Sequence, residues 1–209
     1  IFASTATVYG LKTEFPVKES DKTNPLTVYD KHKLLAEEKL IEASNINILN
    51  TVILRLANVY GPSVNESKAG DRGVLSKVTR MKFEGKNLIL YGDGLSVRDY
   101  VYIDDVVDAF IHASIIKNTP LIYNVASGHG TSIKEVFNLI SYKVNKLIEV
   151  DGIIKNVAWP IEVSEIEKRN FIGSIELLKC NSGWRPKVNL EQGINQLVSH
   201  YAKEYIQWN

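Results

Sequence analysis

The chain almost lacks cysteine. Cys180 is the only one in 209 residues, so no disulfide can close within the chain and no thiolate cluster can hold a metal. That fits a reducing, cytoplasmic setting. Charge imbalance is lacking too: 25 Lys and Arg face 24 Asp and Glu, a net charge of +1. No run of six like charges occurs. Composition therefore favours neither nucleic acid nor a membrane surface as a partner. Apolar runs are far too short to span a bilayer. His32, His112, His129 and His200 are scattered without metal-ligand spacing and read as structural. An initiator methionine and a signal-peptide pattern are missing from the start. Ile1-Phe2-Ala3-Ser4 reads as the end of an apolar strand whose beginning is absent, so the expectation is a fragment.

What is present is an ordinary globular composition. Hydrophobic residues make up 44% of the chain, enough to bury a sizeable core. After the opening strand, Leu11 to Asn24 is a polar loop with turn signals at Pro16 and Asn24-Pro25. Thr27 and Asp30 have capping-box spacing and predict a helix over Thr27 to Ser44. Asn47 to Leu56, rich in Ile, Val and Leu, predicts a buried strand. Ser63 to Gly73 predicts a mobile surface loop. A helix near Gly73 to Glu84, a strand at Leu88 to Tyr91 and a turn at Gly92-Asp93-Gly94 follow. Asp104 is expected to cap a helix carrying Val106, Phe110 and Ala113. Leu121 to Val125 reads as a strand. Ser132 and Glu135 form a second capping box, opening a helix with Val136, Phe137, Ile140 and Val144 on one stripe. Asp151 to Glu167 has no clear pattern. A last helix is expected from Leu190 to Tyr201. Alternating strands and helices make the class α/β.

The first chemical candidate is Tyr29-Asp30-Lys31-His32-Lys33. Positions i and i+4 share a helix face, so Tyr29 and Lys33 can meet above one pocket. An ammonium beside a phenol lowers the phenol pKa and makes it usable as an acid or base near neutral pH. The spacing alone is weak. Among ten tyrosines, Tyr142 and Lys146 match it as well. Context separates them. Tyr29 follows a strand carrying Ser4 and Thr5 and heads an apolar-periodic helix. Tyr142 sits late in a helix without such a partner and reads as a surface residue.

Phe2-Ala3-Ser4-Thr5-Ala6-Thr7-Val8-Tyr9-Gly10 resembles the segment that carries the active-site hydroxyl in UDP-glucose 4-epimerase-like members of the extended short-chain dehydrogenase/reductases, the NAD-dependent epimerase/dehydratase family. Tyr29 to Lys33 resembles that family's YxxxK signature. Arg55-Leu56-Ala57-Asn58-Val59-Tyr60-Gly61-Pro62 resembles its next strand and loop. Tyr91 to Asp105, with Gly92-Asp93-Gly94 and Arg98-Asp99-Tyr100, resembles the stretch that meets the nucleotide diphosphate. Tyr123 to Gly128 and Gly183-Trp184-Arg185-Pro186 resemble parts of its C-terminal half. These segments occur in the family order and span nearly the whole chain.

The resemblance implies the C-terminal part of a doubly wound, Rossmann-type parallel sheet plus a small α/β substrate-binding domain. Residues 1–62 would be the remainder of the cofactor domain, with segments near 88–112 returning to it. Residues 63–209 would mainly bind a nucleotide sugar. Thr5 would hydrogen-bond the reacting sugar hydroxyl. Tyr29 would take its proton. Lys33 would hold the cofactor ribose and depress the tyrosine pKa, with Ser4 also on the cofactor side. NAD is implied before NADP. Asn58, Leu75, Arg98 and Arg169 would meet the substrate, Arg98 at the diphosphate because a guanidinium suits phosphate geometry. Plainer readings stand beside these: Asn58 as a turn-former, Leu75 as core, Arg98 paired with Asp99 or Asp104, Arg169 solvated beside Lys168. The resemblance also implies a homodimer through the Tyr29 helix, with Leu34, Leu35 and Ile41 as its apolar surface, and a role in polysaccharide biosynthesis.

Two departures matter. No GxGxxG or GxxGxxG opens a βαβ unit, so the helix N-terminus that would take the cofactor pyrophosphate is absent. By family layout, about 110 to 120 residues would precede Ile1, roughly four βα units. The strands from Ile1 and from Asn47 are then expected to expose an edge, and the chain alone is expected to bind NAD poorly and not to turn over. Second, Ala6-Thr7 stands where the family's 4,6-dehydratases carry Asp-Glu. That favours an epimerase. Decarboxylase, reductase, 2-epimerase and 4,6-dehydratase activities stay open, as does a non-catalytic binding or oligomerising piece.

Overall fold

A computed structural model describes residues 1–62, 73–117 and 121–208. Of the expected loop Ser63 to Gly73, all but Gly73 lies outside them. In chain order the elements are β1 (Phe2–Thr5), α1 (Val28–Asn45), β2 (Val52–Leu56), β3 (Asn58–Tyr60), α2 (Val74–Phe83), β4 (Leu88–Tyr91), β5 (Val97–Tyr102), α3 (Ile103–Ser114), β6 (Leu121–Val125), β7 (Gly130–Ser132), α4 (Ile133–Asn145), β8 (Ile154–Val157), α5 (Glu176–Ser182) and α6 (Leu190–Trp208). The class is α/β, as expected.

β1, β2 and β6 form a parallel sheet in that order. Thr5 lies opposite Leu56, and Leu56 opposite Val125, so the C-terminal ends of all three strands finish level. That edge is where open α/β sheets bind ligands. β2 has a partner on each side, contrary to the exposed edge expected of it. β1 and β6 are the outer strands, each paired on one side. β6 returns to this sheet from well beyond residue 62, so the first sheet is not confined to residues 1–62. At Ala57 the chain leaves β2 and enters β3, which runs parallel to β5, and β5 pairs antiparallel with β7. β4 pairs parallel with β8.

α1 begins as its capping box dictates. The Thr27 hydroxyl accepts from Asp30 N, and the Asp30 carboxylate accepts from Thr27 N. Its burial pattern is inverted: Asp30, Glu37 and Ser44 are buried, whereas Val28 and Leu35 are 68% and 52% exposed. Leu34, expected on the outer face, packs instead beside Tyr9, Val17 and Phe171. β2 starts at Val52 rather than Asn47. Asn47 adopts φ 58°, and Ile48 N bonds back to Ala43 O, so these residues close the helix before the strand can begin.

α2, α4 and α6 pack around β4 and β5 through Leu75, Phe83, Phe137, Ile140 and Leu197. The Ser132–Glu135 capping box forms. α6 runs past Tyr201 because its apolar stripe continues to Tyr205, whose ring meets Phe83 at 5.6 Å. Asp104 does not cap α3. Tyr102 holds that position without a side-chain bond, and both acids lie in the first turn. There they suit the helix dipole. Asp105 is buried, and its carboxylate accepts from Lys187 N and Val188 N at 2.9 and 3.0 Å. Its carbonyl accepts from Trp184 Nε1 at 3.0 Å. The Gly183–Pro186 segment is thereby pinned to α3. Asp151 to Glu167 contains β8 and a 3-10 turn, Glu165–Lys168. Buried Lys82 holds the approach to β8, donating to Val150 O, Asp151 O and Gly152 O.

Candidate active site

Thr5 ends β1 and caps the 3-10 turn Ala6–Tyr9. α1 descends beside this turn. The Thr7 hydroxyl donates to Asp30 Oδ1 at 2.5 Å, and the Thr5 and Thr7 hydroxyls lie 2.9 Å apart. Tyr29 and Lys33 share a face one turn apart, as their spacing predicts. The Lys33 ammonium lies 5.9 Å from the Tyr29 ring centroid and 4.8 Å from that of Phe2. It donates to Ala3 O at 2.8 Å, so it is anchored to β1. Tyr29 is 57% exposed. Tyr142, the other spacing match, is 54% exposed on α4 with Lys146 over its ring, a surface pair away from this site.

Ser4 points the other way. It is 3% exposed and its hydroxyl donates to Glu37 Oε1, so its side chain serves the interior and not the cofactor side expected for it. Glu37 also receives Arg55 Nη2 at 2.6 Å. Burial works against the charge of Arg55, yet its bonds to Glu37 hold its pKa above the ordinary value. Arg55 lies over the Tyr9 ring, 4.7 Å from the centroid. Burial pushes the Tyr9 phenol up to about 12 against the pull of Arg55. Its hydroxyl donates to Asn124 Oδ1 at 2.8 Å on β6. This network was legible only in part: Glu37 is four residues past Lys33, on the same helix face.

Two neighbouring cavities open at this edge. The smaller, about 320 Å³, is lined by Thr5, Thr7 and Leu75. The larger, about 750 Å³, has Tyr29 and Asp30 at one side and Arg98 at another. Thr7, Asn58, Val74, Tyr100, Glu167 and Arg169 line both. Thr5 and Tyr29 thus border adjoining spaces. Leu75 is 1% exposed and also belongs to the core, so it serves both readings.

The larger cavity carries positive charge on one wall. Arg98 is 4% exposed and donates to Val97 O, Glu167 O and Arg169 O. Burial, then the adjacent Arg169, bring its pKa down to about 10. It has no salt bridge to Asp99 or Asp104. Asp99 accepts from Ser127, Gly128 and Gly173 instead, and burial still pushes its carboxyl up. Arg169 is half-buried rather than solvated. It donates to Ile166 O at 3.0 Å and to Asn58 Oδ1 at 3.5 Å, and burial lowers its pKa. Asn58 is a β3 residue, not a turn-former. At the far side, Trp159 stacks on Tyr91 at 5.4 Å and 21°. Nothing in the sequence marked Trp159, which lies in the unpatterned stretch.

The parallel sheet and its helices define the class: a Rossmann-type α/β fold. The NAD dependent epimerase/dehydratase family matches residues 1–126, more than half of the chain, and the chain belongs to that family. A putative UDP-glucose 4-epimerase of Methanocaldococcus jannaschii is 31% identical over 201 residues, covering 95% of this chain and 61% of that protein. A UDP-N-acetyl-alpha-D-glucosaminuronate decarboxylase of Bacillus cytotoxicus is 30% identical over 213 residues, covering 100% and 62%. Among solved structures, UDP-glucose 4-epimerase of Thermotoga maritima with UDP-glucose superposes with a TM-score of 0.84 at 30% identity, covering 97% and 63%. The Thermus thermophilus UDP-glucose 4-epimerase in complex with NAD gives 0.81 at 29%, covering 96% and 63%. The chain therefore spans a little under two thirds of these proteins. Relatives of nearly equal identity carry different reactions. Among the described residues, no helix is long and apolar enough to cross a membrane and no cluster of His, Cys, Asp and Glu could hold a metal ion.

Proposed function

We propose that the intact protein is an NAD-dependent nucleotide-sugar epimerase of the 4-epimerase kind. The observation that carries this reading is charge placement. Buried Arg98 and half-buried Arg169, in no salt bridge among the described residues, line a cavity of about 750 Å³ that Tyr29 also borders. Arg98 and Arg169 bond to backbone and amide oxygens, Asp30 and Glu167 line the same cavity, and guanidinium groups so placed suit a diphosphate. The Tyr91–Trp159 stack offers a flat apolar surface for a base. Asn58, between Thr7 and Arg169, would meet the sugar or the phosphates. Leu75 would support that floor.

Tyr29, Lys33 and Thr5 fit the reactive end. The Tyr29 phenol would accept the proton of the sugar hydroxyl, Thr5 would hydrogen-bond that hydroxyl, and Lys33 would hold the cofactor ribose. Lys33 already sits at the β1 end with its ammonium on Ala3 O, where it can turn to a ribose. NAD, when bound, takes and returns the hydride. The chain itself contains no glycine turn for the pyrophosphate, so the 209-residue chain alone binds NAD weakly and does not turn over. The exposed Val28 and Leu35 above a polar buried face of α1 support a homodimer through that helix.

The test is product analysis of the intact protein with NAD and a panel of UDP-, GDP-, CDP- and dTDP-sugars. The expected product is the 4-epimer of one of them. Loss of carbon dioxide or of water from the sugar, or a net consumption of reduced cofactor, would replace this reading with decarboxylase, dehydratase or reductase. Binding without turnover would make it a binding module.

A further inference from the structure

We infer that Tyr100 is a further substrate-binding residue, whose hydroxyl donates to an oxygen of the sugar-linked phosphate of the nucleotide sugar. The inference rests on the reading that Arg98 and Arg169 meet the diphosphate.

An unused donor carries it. Tyr100 is 5% exposed, yet its hydroxyl makes no hydrogen bond among the described residues. Other buried tyrosines are provided for. Tyr9 donates to Asn124 Oδ1 at 2.8 Å, Tyr102 donates to Gln196 Oε1 at 2.7 Å, and Tyr123 accepts from Asn181 Nδ2 at 2.8 Å. The Tyr201 hydroxyl has no partner and is sealed in the interior, whereas that of Tyr100 is not sealed. An unpaired donor at a cavity wall is satisfied by water or by a ligand.

The place of this donor selects the ligand group. Arg98 and Tyr100 are two apart on β5 and share a face. Tyr100 lies opposite Asn58 on β3, and Asn58 meets Arg169 at 3.5 Å. Tyr100 thus stands in the wall shared by the two cavities. Burial pushes its phenol up to about 12 against the pull of Arg98 and Arg169, so it keeps its proton at neutral pH and can donate. A third pocket, of about 230 Å³, touches Tyr100 beside Ser127 and Asn189, but neither arginine is among its described lining residues. The hydroxyl that feels both guanidinium groups therefore faces the two cavities. The ring stands edge-on to Tyr60 at 6.3 Å and 89°, which sets the direction of the hydroxyl before a ligand arrives. A diphosphate on the arginines and a sugar reaching Thr5 and Tyr29 must join across this shared wall. The joining group is the phosphate that carries the sugar. Its charged oxygens accept, and a neutral phenol adds a donor to them.

Tyr100→Phe removes the hydroxyl and keeps the ring on Tyr60. Tyr102→Phe is the control: it lies on the same strand, removes a hydroxyl already given to Gln196, and is not among the described residues lining either cavity. The experiment is calorimetry of the intact protein with NAD, using UMP, UDP and UDP-glucose and the matching guanosine, cytidine and thymidine series. Tyr100→Phe is expected to weaken the diphosphate and its sugar about ten- to hundredfold, the loss of a hydrogen bond to a charged group. The monophosphate and the melting temperature are expected to stay unchanged. Tyr102→Phe is expected to leave every affinity unchanged. Wild-type affinity of Tyr100→Phe for the diphosphate and its sugar overturns the inference. So does a loss confined to the sugar nucleotide, an equal loss with the monophosphate, or a wild type that binds no member of any series. If the affinities fall as expected while the product is not a 4-epimer, Tyr100 keeps its role and the epimerase reading fails. If the 4-epimer forms and Tyr100→Phe binds normally, only the role of Tyr100 falls.

Discussion

Glu37 and Arg55 face one another inside the molecule, 1% and 4% exposed, with Arg55 Nη2 2.6 Å from Glu37 Oε2. Arg55 Nε reaches both carboxylate oxygens at 3.1 Å, and Ser4 donates to the same carboxylate. The pair ties α1 to β1 and β2. It sits one turn below Lys33, so the height of Tyr29 above the strand ends depends on it.

Breaking this pair from one side leaves a buried charge alone. Glu37→Ala is expected to destabilise by about 3 to 5 kcal/mol, read in urea unfolding. Glu37→Met with Arg55→Met is expected to cost much less, because no orphan charge remains. Equal losses in the single and double variants would show that the charges are not what matters.

Tyr29 is exposed enough that its hydroxyl carries little stability. In the intact protein, Tyr29→Phe is expected to lower kcat about 100-fold or more, with a melting curve inside the roughly 0.5 kcal/mol range of surface changes. Tyr142→Phe is expected to leave both unchanged. Equal activity losses at the two positions would remove Tyr29 from the proposed site.

Glu135 gives a pH signature. The Ser132 hydroxyl, then the Ser132 N–H, hold its pKa below the ordinary 4.5. A carboxyl depressed by folding contributes stability above its unfolded pKa and loses it as pH falls through the folded one. The stability difference between wild type and Glu135→Gln is therefore expected at pH 7 and should fade below the ordinary glutamate range. A difference that persists unchanged into strong acid would contradict the capping role.

Gly92 has φ +66°, and a Cβ there would lie 2.5 Å from Trp159 Nε1. Gly85 has φ +67° with nothing within 4 Å. Both alanine variants carry the left-handed penalty of about 1 to 2 kcal/mol. Only Gly92→Ala is expected to move Trp159, shifting tryptophan emission and weakening UDP binding in the intact protein. An identical emission spectrum in both variants would mean the stack tolerates the methyl.

Local rules made much of this molecule legible. The Thr27–Asp30 and Ser132–Glu135 boxes mark their helices because capping satisfies backbone donors within three residues. β4 and β6 match their apolar runs. Asp104 was misread because Asp is a good cap, yet the neighbouring Asp105 is held by Lys187 and Val188, about eighty residues away. Leu34 was misread because the turn that covers it, Ala6–Tyr9, packs there only in three dimensions.

The sequence by itself determined the α/β class, the shared face of Tyr29 and Lys33 and the absence of a glycine turn, all of which follow from spacing along one element. Tertiary structure alone decided the rest. It turned the Ser4 hydroxyl inward to Glu37, brought Arg98, Arg169 and Trp159 to one cavity, and set Asp30 against Thr7. Those relationships join residues that only packing brings together, and a buried polar group takes whichever partner the fold puts within reach.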